Sequence, residues 1–475
     1  MKFSITQKHS MRASFSESEN ITLKSIFSKK DLEKLIFPLV VELLLTLLVG
    51  MIDSVMVSSA GESAVSGVSL IDTVFQLLIY IFAAFGTGGA VVAGQYMGAG
   101  QQKQARDTAD QLVWFSALVS FAIMGIVYLL RGFLLNTVFG SITRQVYWNA
   151  NRYLLIVALS IPALSIYESG AAIFRTMGNS KITMVLSAVM NVVNICGNAI
   201  LIYGFQMGTA GAAIATVVAR YIAAMIMILL LLQENQPLYL TRSWHFIPNG
   251  NLIRHILQIG VPNGVENGLF QLGKIILAGL FTRFGTAAIT ANAICQTVSS
   301  IQVIPGSAIS LAATTVIARC VGAGDEKQTK YYNRLLLKIT YVAMLLFCGA
   351  FWFALPVILR WYHLLEGTAR LTTQMVLVHT LGAIVIWPLT FMLPSSMRAA
   401  GDVRFAMVTS IISMFVFRLG AAYLFAFNFG IGALGIWCAM LCDWGFRAVV
   451  FSFRWLSGGW KNKSIVKTTG SIAEE

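Results

Sequence analysis

The sequence predicts an all-α integral membrane protein, with twelve transmembrane helices in two parallel six-helix bundles related by a pseudo-twofold axis along the membrane normal. Three observations carry this reading. The first is composition: of 475 residues, 57% are hydrophobic and only 11% charged, against about 25% charged in a soluble domain. Most of the surface must therefore face something other than water, and repeated apolar runs of about 20 residues suit bilayer-spanning helices. The second is an internal repeat. Pro38 meets Pro262, Glu42 meets Glu266, Gly61 meets Gly285, Gly98-Ala99-Gly100 meets Gly322-Ala323-Gly324, and Lys103-Gln104 meets Lys327-Gln328, each 224 positions on. Further along, Arg175, Gly178, Met184, Ser187 and Gly197 meet Arg398, Gly401, Met407, Ser410 and Gly420 at an offset of 223. Gly208 and Gly211 then meet Gly432 and Gly435, again 224 apart. The third is charge bias. With the N-terminus placed inside, 25 lysines and arginines fall on the cytoplasmic side and 6 outside, as the positive-inside rule requires of a chain with both termini cytoplasmic. Six spans per half return the chain to the same side, so the halves enter alike and are parallel repeats.

The elements follow in order. Residues 1–34 are polar and basic and read as a cytoplasmic segment; the apolar run after them is too long for a signal-peptide core. Spans are expected near 35–57, 66–95, 112–131, 152–173, 183–203 and 210–232, forming an N-terminal bundle over 35–232. A linker over 233–256 holds Pro237, Pro248 and Asn249-Gly250, all turn formers. The second bundle, 257–454, has spans near 257–281, 288–318, 336–358, 375–397, 405–427 and 432–454, followed by a cytoplasmic tail over 455–475. The net charge of +14 sits in short loops, so it reads as topology and not as nucleic-acid binding. The six cysteines lie in or beside apolar runs without a zinc spacing, and free thiols are expected.

Several stretches are familiar. Gly50-Met51-Ile52-Asp53-Ser54-Val55-Met56-Val57 resembles the first-span signature of the multidrug and toxic-compound extrusion (MATE) family. The loops at 98–100 and 322–324 resemble those after its spans 2 and 8. Arg175-Thr176-Met177-Gly178 and Arg398-Ala399-Ala400-Gly401 resemble those after spans 4 and 10, and residues 261–268 resemble the start of span 7. The resemblance covers roughly residues 30–455. It implies a secondary antiporter that extrudes organic, often cationic, compounds from a central cleft, driven by inward sodium or protons. It implies no cofactor, a monomer among membrane lipids, and the plasma membrane (the inner membrane of a bacterium) as its place.

Ionisable groups inside a membrane are costly and by default mark a pathway or coupling site. Asp53 is the first candidate, able to exchange a proton or to ligate sodium through oxygen. Glu42, eleven positions earlier, falls about 20° from it at helical pitch, on the same face. Asp53 maps onto Leu277, so one half is expected to do the coupling. In span 7, Asn263, Glu266, Asn267, Gln271 and Lys274 share an arc of roughly 140°. They read as a cleft wall or as a hydrogen-bonded seam between helices. Glu266 is a candidate for coupling and for attracting a cation, and Lys274 is expected to neutralise a nearby acid. Asn191, Asn194 and Asn198 line one face of span 5, as packing or as partners of Asp53; Asn194 is placed with Asp53 and Glu266 as an ion-coupling candidate. Glu168 is a further acid without an evident partner, while Asp72 and Asp443 are read as interfacial.

Three function classes compete. Intramembrane acids (Glu42, Asp53, Glu168, Glu266) outnumber bases (Arg220, Lys274, Arg418), which favours a transporter of organic cations over a lipid-linked saccharide flippase needing basic residues for pyrophosphate. The sequence holds no His-Glu-x-x-His or Gly-x-Ser-x-Gly pattern and no nucleotide-binding loop, which disfavours an enzyme.

Overall fold

A computed structural model describes residues 25–140, 142–241, 247–362 and 364–466. Residues 1–24 of the expected N-terminal segment, 242–246 of the linker and 467–475 of the tail lie outside the described residues. Among the described residues the membrane-crossing helices are α1 (Lys29–Ser58), α2 (Glu62–Gly98), α3 (Gln102–Val138), α4 (Arg144–Thr176), α5 (Ser180–Gly204) and α6 (Thr209–Leu231) in the first half. The second half has α7 (Gly250–Phe281), α8 (Gly285–Gln302 and Ile304–Gly322), α9 (Glu326–Trp361), α10 (Glu366–Val385 and Pro388–Ala399), α11 (Val403–Asn428) and α12 (Ala433–Leu456). These twelve helices correspond one to one with the expected spans.

Local chemistry sets several of their limits. Ser28 caps α1: its hydroxyl accepts from the Asp31 amide while the Asp31 carboxylate accepts from the Ser28 amide, a reciprocal capping box. Prolines, which lack an N–H, break or bend the later helices. α8 is interrupted at Val303, just before Pro305, whereas its repeat mate α2 runs unbroken. α10 bends by 61° where Pro388 follows Val385. Pro38 and Pro262 sit inside α1 and α7 at matching positions.

Each half keeps its own apolar core. Phe82, Leu154 and Ile161 belong to the first, and Met375, Val376 and Met440 to the second. A third cluster joins the halves beside the first and last described residues, with Leu35, Leu39, Val91 and Val92 packed against Ile309, Val316 and Ile317. The halves meet along α2 with α7 and along α8 with α1 and α2. At Gly98 and Gly322 this approach is backbone on backbone. A Cβ at Gly98 would lie 2.1 Å from the Arg319 carbonyl oxygen, and one at its repeat mate Gly322 would lie 2.0 Å from that of Gln95. Moving along α7 the helices part. A Cβ at Gly260 would stand 3.2 Å from the Ala84 oxygen, one at Gly264 3.5 Å from Ala84 Cβ, and one at Gly268 3.9 Å from Leu77 Cδ1. The contact between the bundles is thus tightest around Gly98 and Gly322 and loosens along α7 toward Gly268.

The tight end is also hydrogen-bonded. Gln95 is fully buried; its Nε2 donates to the Ala399 carbonyl at 2.9 Å and its Oε1 accepts from the Ile465 amide at 3.0 Å and Ser464 Oγ at 3.1 Å. Arg319 donates to the Thr176 carbonyl at 2.6 Å. The other terminus docks too: the Tyr332 hydroxyl accepts from the Phe27 amide at 3.0 Å and donates to its carbonyl at 2.6 Å.

Candidate functional site

The repeat builds one feature twice. Arg175 reaches Glu42 at 3.6 Å in the first half, and Arg398 reaches Glu266 at 3.0 Å in the second. Acid and base are repeat mates in both pairs, and all four side chains are largely buried. Thr183 adds a hydroxyl donated to Glu42 at 2.6 Å. Glu266 therefore sits in the second bundle on Arg398, and the structure does not bring it to Asp53.

The first bundle encloses a cavity of about 440 Å³ lined by α1, α2, α4, α5 and α6. Four carboxylates line it (Glu42, Asp53, Asp72 and Glu168) with two guanidiniums, Arg175 and Arg220. Asn191, Asn194 and Asn198 face it together, because spacings of three and four residues share one face of α5. Asn198 Nδ2 donates to Asp53 Oδ1 at 2.8 Å. With its nitrogen toward Asp53, the Asn194 amide lies 2.7 and 3.0 Å from the two carboxylate oxygens, with its oxygen 3.1 Å from Thr216 Oγ1. Asp53, Asn194, Asn198 and Thr216 thus form one compact set of oxygen-bearing groups, the residues here able to hold a small cation. Asp72 is not interfacial. It accepts from the Tyr153 hydroxyl at 3.3 Å inside the same cavity, where Arg220 lies over the Phe75 ring at 5.1 Å and donates to Ser160 at 2.7 Å. Among the described residues no cluster of three or more His, Cys, Asp or Glu side chains could hold a metal ion.

The second bundle differs. Lys274 lines a recess with Asn292, Gln296, Arg418 and Trp437. Asp443, expected at an interface, is fully buried one helix away; it takes Arg447 at 2.9 Å and Arg418 at 3.4 Å, and accepts from Ser413 at 2.6 Å. Arg447, counted above among cytoplasmic charges, is 2% exposed inside the bundle. Lys274 has no acid partner among the described residues; its ammonium lies 5.4 Å from the Phe270 ring centre. Asn263 is buried, and Asn267 and Gln271 are half-buried, on the stretch of α7 leading to that lysine. Tyr153, Thr216 and Arg447 were not singled out from the sequence. Tyr153 and Thr216 are revealed only by cross-helix contacts, whereas Arg447 stands one helical turn from Asp443 on the same helix.

The MatE family model matches residues 38–200 and again 262–424. The chain belongs to the MATE family. Both matches have the same length and stand 224 positions apart, the offset of the internal repeat. Members of this family are transporters and not enzymes, and the chain is a multi-pass membrane transporter. Among relatives, an uncharacterized transporter YisQ of Bacillus subtilis is 27% identical, covering 93% of this chain and 98% of its own. A probable multidrug resistance protein NorM of Thermotoga maritima is 26% identical over 92% of this chain and 94% of its own. The fold is that of a structure described as the outward-facing conformation of a multidrug resistance MATE family transporter, with a TM-score of 0.84 at 18% identity over 91% of this chain and 96% of that one. A crystal structure of MATE in the bent conformation superposes with a TM-score of 0.83 at 18% identity, over 92% and 97%.

Proposed function

We propose that this MATE protein is a secondary active antiporter that extrudes organic cations from the cytoplasm in exchange for inward sodium or protons. Several relatives carry multidrug resistance in their names, and the seam between the bundles is tightest around Gly98 and Gly322. With both termini cytoplasmic, as the lysine and arginine bias favours, that tight end faces the cytoplasm. The chain works as a monomer in a plasma membrane, the inner one in a bacterium. Excess carboxylate in the first-half cavity favours cationic cargo. Glu42 and the polar face of α7 (Asn263, Asn267, Gln271 and Lys274) contribute to the substrate path.

The observation that carries the reading is the Asp53 cluster. An amide presents a donor at one end and an acceptor at the other. With its nitrogen inward, Asn194 donates to the Asp53 carboxylate; turned over, its oxygen joins those of Asp53 to ligate a cation. The site therefore has two arrangements, and an ion biases one of them, as coupling requires. Protonation of Asp53 uses the same group. Glu266, held by Arg398, is the second coupling candidate, in the other bundle.

The test is transport in proteoliposomes with a sodium gradient and a proton gradient imposed separately. Asp53→Asn is nearly isosteric and should keep the protein folded while abolishing gradient-driven dye efflux. Wild-type efflux by well-folded Asp53→Asn protein would remove Asp53 from coupling and leave Glu266 to be tested.

A further inference from the structure

The buried charges of the two bundles are opposite in balance. The first lines its cavity with four carboxylates and two guanidiniums. In the second, apart from the Asp402–Arg454 pair, four largely buried cationic side chains, Lys274, Arg398, Arg418 and Arg447, stand against two carboxylates, Glu266 and Asp443. Glu266 is taken by Arg398 at 3.0 Å. Asp443 alone must then answer Arg418 and Arg447, and nothing answers Lys274 among the described residues.

These three cations are gathered, not scattered. Lys274, Arg418 and Arg447 lie 5.4, 5.6 and 5.3 Å from the centre of one ring, Phe270. An aromatic face tempers a cation without cancelling its charge. A lysine that only snorkels runs its ammonium toward the nearer water interface. Lys274 instead points back to Phe270, away from the helix end at Phe281. Arg418 is 8% exposed, its Nε has no partner, and it lines the same recess as Lys274. Trp437, which also lines the recess, has an indole N–H without a partner. Unanswered buried charge is expensive, and here donors surround a recess that lacks an acid.

We propose that this recess is an anion-binding subsite, and that it takes the carboxylate of the transported molecule on Lys274 and Arg418. The inference rests on the antiporter reading and narrows its substrate class. The preferred cargo is zwitterionic, its cationic part drawn to the carboxylates of the first bundle and its carboxylate to the second. None of the three cations has a charged repeat mate: Lys274, Arg418 and Arg447 map onto Gly50, Ile195 and Ala223. The subsite is thus a property of one half and not of the shared scaffold.

Rhodamine 110, which carries a free carboxylate, and rhodamine 123, its methyl ester, share one cationic ring system. Their binding to the purified full chain in phosphatidylcholine nanodiscs can be read by fluorescence polarisation without any gradient, so failure here is distinct from failure of antiport. Lys274→Gln should raise the Kd of rhodamine 110 at least tenfold, the loss of one charge-assisted hydrogen bond, and raise that of rhodamine 123 by much less. Lys274→Arg should retain rhodamine 110 binding. Equal weakening of both dyes, or no effect on either, overturns the proposal. So does a Lys274→Gln effect seen only as lost thermal stabilisation by phosphatidylglycerol, which would make the occupant a lipid headgroup.

Discussion

Gly98 and Gly322 mark where the two bundles touch most closely, and alanine at either position should pry them apart. The added Cβ would stand 2.1 Å from the Arg319 oxygen or 2.0 Å from the Gln95 oxygen. Both opposing atoms are backbone, so no side chain can swing away. Real Cβ atoms essentially never approach another heavy atom closer than 3.0 Å, so α2 and α8 must separate by about 1 Å or distort. Overpacking of this kind costs about 1–3 kcal/mol. Alanine's gain in helix propensity is common to both arrangements and cancels in the comparison. A bias of about 1–3 kcal/mol against the closed seam is a roughly 5- to 150-fold shift in population. Spin labels at Lys103 and Lys327, exposed repeat mates flanking the seam, report its width in a background without native cysteines. Gly98→Ala and Gly322→Ala should each enlarge the long-distance component. Gly349→Ala, where nothing lies within 4 Å, should leave the distribution alone. Unchanged distances in both seam variants would refute the view that glycine contact sets the closed state.

Two further outcomes follow from buried polar contacts. Tyr332→Phe removes both hydrogen bonds to the Phe27 backbone and should weaken docking of the N-terminal segment by about 1–3 kcal/mol, read as faster tryptic cleavage at Lys29 and Lys30. Asp443→Asn leaves Arg418 and Arg447 without their shared carboxylate. It should cost roughly 3–5 kcal/mol in a melting experiment, whereas Glu326→Gln, at a half-exposed pair, should change little.

The fold was legible because a membrane imposes length and apolarity on every span and because the repeat preserves register across glycines and prolines. The paired charges shared by both halves, Glu42 with Arg175 and Glu266 with Arg398, were also visible as repeat mates, though not as pairs. What the sequence hid is how charges group. A count along the chain set acids Glu42, Asp53, Glu168 and Glu266 against bases Arg220, Lys274 and Arg418 as one pool. The fold separates that pool into bundles of opposite balance. Asp443 looked interfacial from its place along its span, although its closer partner Arg447 stands four residues on in the same helix; only Arg418 comes from another helix, 25 residues away. Asp72 looked peripheral because nothing along α2 shows that Tyr153 turns toward it. The grouping of Asn194 and Asn198 was legible from spacing, but Thr216, which completes their set around Asp53, comes from α6 and carries no periodic signal.

The burial of Gln95 has a consequence for biosynthesis. Its side-chain oxygen is answered by Ser464 and Ile465, about 370 residues further along the chain. At about 5–20 residues per second, the ribosome takes roughly 20–70 s to supply them after Gln95 is made. Through that interval the seam is unfinished, and Ser464 and Ile465 complete it. A chain that stops short of residue 464 can therefore insert every span and still fail at assembly, leaving a buried amide oxygen without its donors for quality control to find.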